Sequence, residues 1–333
     1  MTGNTSLRHR FLSAVKPVTV FSPAKINLFL AITGQRADGY HDLVSMTAPL
    51  GFGDQLIAEA QGERRKAKDQ FSLECDDPEV PRDETNLVAK AARRFCEATG
   101  WKAAVAFRLT KRIPLGAGLG GGSSNAAAAL LALNQLSGAG LSRDRLMALA
   151  AQVGSDCPLF LPGGPVLMRG RGEQVESLPA AAAGRLRGRR VLLFKPNFSI
   201  RTAWAYEQMA ACTGASAAAT ARADKSAPGA ARAPAGYLSA AEAERRLAAW
   251  IAGNAGAEEL LFNNLEPVVF RKFIALPALL ERLHTRFGLA PRMSGSGSAC
   301  FVLLPDDAPV EEIIGSVREA WGPLCFVHPT VIA

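Results

Sequence analysis

Residues 114–124 read Pro-Leu-Gly-Ala-Gly-Leu-Gly-Gly-Gly-Ser-Ser and run without a break into Asn125-Ala-Ala-Ala-Ala-Leu-Leu-Ala-Leu-Asn-Gln-Leu136. Glycines let a backbone turn through positive φ and approach a ligand with no Cβ in the way. Successive amides can then converge on one anion, and the following helix adds its unpaired N–H groups and the positive end of its dipole. A plain turn needs one or two glycines, and this loop has five. The segment is therefore predicted to cradle phosphate through Pro114, Leu115, Gly116, Ala117, Gly118, Leu119, Gly120, Gly121 and Gly122. Ser123 and Ser124 stand where a hydroxyl can cap the helix or reach a phosphate oxygen or its metal.

What surrounds the glycines argues against several other phosphate loops and leaves a dinucleotide-dependent oxidoreductase as the distant alternative. No lysine follows them, as the Walker form requires. Gly116, Gly118 and Gly121 satisfy G-x-G-x-x-G, but the preceding segment Val105–Lys111 alternates apolar and polar residues, whereas the first strand of a dinucleotide fold is buried on both faces. Asp144 lies about where the ribose-binding acid belongs, yet inside a run that reads as the start of a helix. Protein-kinase signatures are missing throughout.

The loop resembles the central motif of the GHMP kinases, the superfamily of galactokinase, homoserine kinase and mevalonate kinase. Ser22-Pro-Ala-Lys-Ile-Asn-Leu28 resembles its first motif and Met293-Ser-Gly-Ser-Gly-Ser-Ala299 its third, in the right order. Thr33-Gly-Gln-Arg-Ala-Asp-Gly-Tyr-His41 and Gly154-Ser-Asp-Cys-Pro158 resemble the branch whose acceptor is a sugar alcohol carrying cytidine diphosphate. The resemblance implies an α+β, two-domain GHMP kinase fold with the active site in the cleft between the domains. It implies ATP as phosphoryl donor with Mg²⁺, an Asp156 that serves as catalytic base, and a Lys25 that lowers the pKa of that acid or of the acceptor hydroxyl. It also places Asn86 and Lys111 on the adenine side and Tyr206 as a stacking face for the base. Some relatives hold the metal with a glutamate that has no clear counterpart here, so the protein ligands of Mg²⁺ stay unassigned.

Read without the resemblance, these residues have plainer uses. Asp156 between Ser155 and Cys157-Pro158 serves as a turn former, Lys25 as a surface charge, Asn86 and Lys111 as surface residues, and Tyr206 as core. Asn27 lies two residues past Lys25, on the same face if this is a strand, and can bond a polyol. Tyr40 and His41 follow Asp38-Gly39 in a turn and offer an aromatic face and a ring nitrogen suited to a base.

With 333 residues and 48% hydrophobic content, two domains are expected, at 18–178 and 179–333. Residues 1–17 are expected to be a disordered extension, and the Ala-, Ser- and Pro-rich stretch at about 210–236 a mobile insert. No apolar run approaches the length of a membrane helix. Six scattered cysteines without a C-x-x-C pair support neither zinc nor disulfides and fit a reducing cytoplasm. The net charge of +8 is dispersed and lacks aromatic interleaving, which argues against nucleic acid and for polyanionic small molecules. The densest basic cluster, Arg185, Arg187, Arg189 and Arg190, reads as a solvated turn. The expected partners are ATP and a cytidyl diphosphate sugar alcohol, with no nucleic acid and no membrane, on a monomer or weak homodimer. Strands are predicted at 18–21, 26–30, 166–168, 191–194 and 299–304, and helices at 87–99, 125–136, 143–153, 264–274 and 278–287, mixed without strict βαβ alternation.

Overall fold

The computed structural model describes residues 16–63, 71–216 and 236–333. The expected N-terminal extension and most of the expected insert lie outside the described residues. In the first half, β1 (Val18–Gln35) and β2 (His41–Glu63) form a long hairpin, followed by β3 (Phe71–Cys75), α1 (Leu87–Thr99), β4 (Ala103–Thr110), α2 (Gly121–Ser137) and α3 (Arg143–Val153). The chain continues through β5 (Val166–Arg169), β6 (Gln174–Ser177), α4 (Ala180–Leu186), β7 (Arg190–Lys195), α5 (Thr202–Ser216), α6 (Ala240–Ile251) and α7 (Ala257–Leu260). It ends with β8 (Phe262–Asn263), α8 (Glu266–Phe270), α9 (Ala275–Phe287), β9 (Arg292–Met293), β10 (Cys300–Leu303), α10 (Val310–Trp321) and β11 (Phe326–Val331).

Two sheets carry the fold among the described residues. The larger runs β3-β4-β2-β1-β8 with β5 and β6 attached to β2, and the smaller runs β11-β7-β10-β9. Pairing is antiparallel except for β3 with β4 and β1 with β8, so this is the α+β class expected from the sequence. The two predicted strand pieces around Pro23 are one strand, β1. Its register against β2 shifts between Pro23 and Lys25 and again between Asn27 and Phe29. Bulges of this kind re-aim side chains, and these two bracket Lys25 and Asn27.

The helix α2 is sheathed by α1, α3, β1 and β2, with Ala126 to Leu130 all buried. Its run of alanines suits this position, since small side chains let neighbours approach on several sides at once. The predicted helix at 264–274 shrinks to α8. Asn264 instead clamps β1, accepting from Ile32 N at 2.8 Å and donating to Ile32 O at 2.9 Å. The basic cluster is also more than a solvated turn: the Arg185 guanidinium lies 4.2 Å over the Trp250 ring, and Arg190 donates to Pro305 O and Asp306 O. Both apolar clusters of the core draw residues from either side of residue 178. The halves therefore share packing.

Candidate active site

The three glycine- and serine-rich motifs meet at one place. Leu119 O accepts from Lys25 N at 2.9 Å, and Ala117 O accepts from Ala299 N at 3.0 Å. Gly118 O accepts from Ser294 Oγ at 3.2 Å. Asn263, at the end of β8, steadies the third motif by donating to Met293 O and Gly295 O at 2.9 and 2.8 Å. At Gly118, with φ of +77°, an added Cβ would lie 2.3 Å from Ser294 O. At Gly120, with φ of +73°, it would lie 2.9 Å from Phe160 Cζ and 3.0 Å from Lys25 Cγ. Glycine is needed here by close approach of protein groups as well as by backbone conformation.

These contacts bound a cleft of ≈ 310 Å³ lined by the loop from Pro114 to Ser123 and by Lys25, Asn27, Lys111, Asp156, Thr202, Tyr206 and Ser296. A second compartment of ≈ 400 Å³ adjoins it, lined by Tyr40, His41, Ser155, Arg171 and Glu207 among others. Leu43, Asp156, Thr202 and Tyr206 border both. Asp156 thus stands where the glycine-lined space opens into the aromatic one. It is presented by the turn after α3, where Cys157 N donates to Gly154 O at 3.1 Å and Pro158 opens a helical turn.

Lys25 is buried in β1, and that burial pulls its pKa below the ordinary lysine value while the charge of Asp156 pushes the other way. Its Nζ donates to Asn27 Oδ1 at 2.5 Å, and Asn27 Nδ2 donates to Ser45 Oγ and Thr47 Oγ1 at 3.0 and 3.1 Å. Both ends of the Asn27 amide are therefore engaged. The residue holds the lysine in place while it lines the cleft. Burial, with the charge of Asp156 beside it, pushes the Tyr206 phenol well above its usual pKa, so it stays neutral. The Cys157 thiol is pushed up to about 12 by burial and takes no part as a nucleophile at neutral pH.

His41 and Tyr206 meet with ring centroids 5.1 Å apart, and Tyr40 is 56% exposed at the mouth of the second compartment. Burial lowers the His41 pKa, and Nε2 is a buried polar atom without a hydrogen-bond partner among the described residues. Such an atom is costly unless something fills the bond. Tyr40, His41 and Tyr206 therefore line one compartment.

The remaining candidate residues have partners within the protein. Asn86 caps α1, accepting from Val88 N at 2.8 Å and donating to Pro81 O at 2.6 Å, so its polar atoms are used within the turn, and Leu87 lines the cleft beside it. Ser124 is buried and accepts from Ser22 Oγ at 2.8 Å, which leaves Ser123 as the motif serine on the cleft. Lys111 reaches the cleft but is ion-paired with fully buried Asp54 and donates to Asn125 Oδ1 at 3.2 Å. Asp54 also accepts from Arg112 N, Ile113 N and Asn125 Nδ2 at 2.7, 2.9 and 2.9 Å. This carboxylate ties the start of the loop to the start of α2. Nothing around Asp54 in the sequence points to that task, because its four partners come from other segments.

A glycine cradle, a buried lysine and a carboxylate at the junction of two compartments define a small-molecule phosphotransferase of the GHMP type. Residues 86–164 match the GHMP kinases N terminal domain, and residues 240–323 match the GHMP kinases C terminal domain. A 4-diphosphocytidyl-2-C-methyl-D-erythritol kinase of Synechococcus sp. (strain CC9311) is 36% identical over 93% of this chain and 94% of its own length. The crystal structure of a 4-(cytidine 5'-diphospho)-2C-methyl-D-erythritol kinase superposes with a TM-score of 0.68 at 31% identity, covering 95% of this chain and 100% of that one. A homoserine kinase from Cytophaga hutchinsonii, 18% identical with a TM-score of 0.65 over 95% of each chain, shares the fold. The chain belongs to the 4-diphosphocytidyl-2-C-methyl-D-erythritol kinase family of the GHMP kinases.

Proposed function

We propose that the protein transfers the γ-phosphoryl group of ATP to the 2-hydroxyl of 4-diphosphocytidyl-2-C-methyl-D-erythritol, a step of the non-mevalonate route to isoprenoid precursors. The observation that carries this reading is the position of Asp156 and Tyr206 on the shared border of the two compartments. The triphosphate lies along the glycine loop, the base lies among Tyr40, His41 and Tyr206, and the reacting hydroxyl meets the γ-phosphate beside Asp156. Asp156 accepts the hydroxyl proton. Lys25, held by Asn27, places positive charge against the oxyanion as it develops. Neutral Tyr206 contributes an aromatic wall without adding a second negative charge next to Asp156.

Mg²⁺ fits this site in a limited way. Among the described residues no cluster of three His, Cys, Asp or Glu side chains could hold a metal. Ser123 offers a hydroxyl and Asp156 a carboxylate at the cleft, and Mg²⁺ commonly keeps several waters and takes its other ligands from nucleotide phosphates. Bound there, the ion would screen the charge of the triphosphate. Lys111, already paired with Asp54, would contribute little further charge. The two domains meet at about residue 178 and pack against each other, and the protein works in the cytoplasm.

Steady-state turnover with the cytidyl acceptor and with methylerythritol phosphate lacking the cytidylyl group tests the assignment. A site that hydrogen-bonds and stacks a base should reject the smaller acceptor by ~10⁴ or more in kcat/KM. Comparable values for the two would withdraw the cytidyl-specific reading and leave a GHMP kinase of another acceptor.

A further inference from the structure

We infer that Arg171 determines specificity for the phosphorylated tail of the acceptor, holding its diphosphate while stacked on Tyr40. The inference rests on the acceptor reading above and names a residue which that reading does not use. Among the described residues that line the second compartment, Arg171 is the single Lys or Arg, and the other charged ones, Asp156 and Glu207, are acidic. A diphosphate entering that space needs a cation, since an unpaired buried anion is strongly disfavoured.

The turn between β5 and β6 fixes the backbone that carries Arg171. Gly170 and Gly172 flank it with φ of +65° and +107°, Leu43 N donates to Gly170 O at 2.8 Å, and Arg171 N donates to Glu173 Oε2 at 2.7 Å. Its guanidinium carbon lies 4.8 Å from the centre of the Tyr40 ring. A guanidinium held against an aromatic ring keeps its charge, and its planar fork of N–H groups can donate to two phosphate oxygens at once. The neighbouring cation Arg36 is committed to Asp38 and Asp42. Arg171 and Tyr40 line the same compartment side by side, so base and diphosphate are read by adjacent groups.

The test compares cytidine and cytidine diphosphate as inhibitors against the acceptor at saturating ATP. In the unmodified protein the diphosphate should bind about 10- to 100-fold more tightly than the nucleoside, the range of a charge-assisted pair. In Arg171→Gln the ratio of the two inhibition constants should fall to near one, with cytidine's own constant and the KM for ATP unchanged. Arg171→Lys should fall between, because a lysine keeps the charge and loses the planar fork. Equal weakening of both inhibitors would overturn the proposal and assign Arg171 to the base through Tyr40. An unchanged ratio would overturn it outright. If neither compound competed with the acceptor in the unmodified protein, the acceptor reading itself would fail, and this inference with it.

Discussion

Gly118 and the Ser294 carbonyl approach so closely that a Cβ on the glycine would stand 2.3 Å from that oxygen. The central loop and the C-terminal glycine motif, 176 residues apart, are therefore in backbone contact. Gly118→Ala should separate them and strain a φ of +77°, costing about 1–3 kcal/mol of stability. Chemical denaturation and the KM for ATP would both register it. Unchanged stability would mean that the two motifs can part without consequence.

Gly120 behaves differently, because its missing Cβ leaves room for Lys25 and Phe160. Gly120→Ala is expected to displace the lysine and lower kcat more than it raises the KM for ATP. The sequence alone places Gly120 in the phosphate cradle, and a kcat that held while the KM for ATP rose would limit the residue to that role.

Lys25→Ala and Asp156→Asn should fold and lose ~10² to 10⁴ of turnover, the usual cost of one positioned acid–base group. Burial sets the Lys25 pKa below that of an ordinary lysine, so its proton leaves at lower pH than usual. Activity that depends on the ammonium is then complete below this lowered pKa and falls as pH rises through it. A Lys25→Arg protein with residual activity should lack that alkaline limb, since arginine stays charged. Persistence of the limb in the arginine variant would assign it to another group.

Removing Asp54 strands Lys111 inside the protein. Asp54→Ala should cost about 3–5 kcal/mol in denaturant unfolding, as expected when one partner of a buried ion pair is lost. The double change Asp54→Ala with Lys111→Met should recover much of that loss. A double variant as unstable as the single one would show that the bonds to Arg112 N and Ile113 N matter more than the charge.

His41→Ala should raise the acceptor KM with the KM for ATP spared, because the base lies away from the reacting hydroxyl. Burial lowers the His41 pKa, so the ring is neutral at neutral pH and becomes charged only when pH drops below that lowered value. Acceptor KM should thus be flat through neutrality and rise at more acid pH than an ordinary histidine would give. The acid rise should vanish in His41→Ala, and its survival there would exclude His41 as its source.

Features of this protein that depend on near neighbours were readable in its residues alone. The loop and its helix, the α1 span from Leu87 to Thr99 and the α3 span from Arg143 to Val153 follow from glycines, Asn86 and Ser142 caps and apolar spacing, all acting within a few residues. The order of the three motifs also lay in the sequence, and the family resemblance they carry singled out Lys25, Asp156, Tyr40, His41 and Tyr206 as candidates. What those side chains face did not. Whether Ser124 meets phosphate or Ser22, and whether Asn27 meets substrate or Lys25, depends on the β1 bulges and on partners about 18 to 100 residues away. Asp54, Arg171 and the shared border at Asp156 gain meaning only when distant segments converge. Local propensity acts over a few residues of chain, whereas burial, charge pairing and the shape of a cleft are properties of the packed whole.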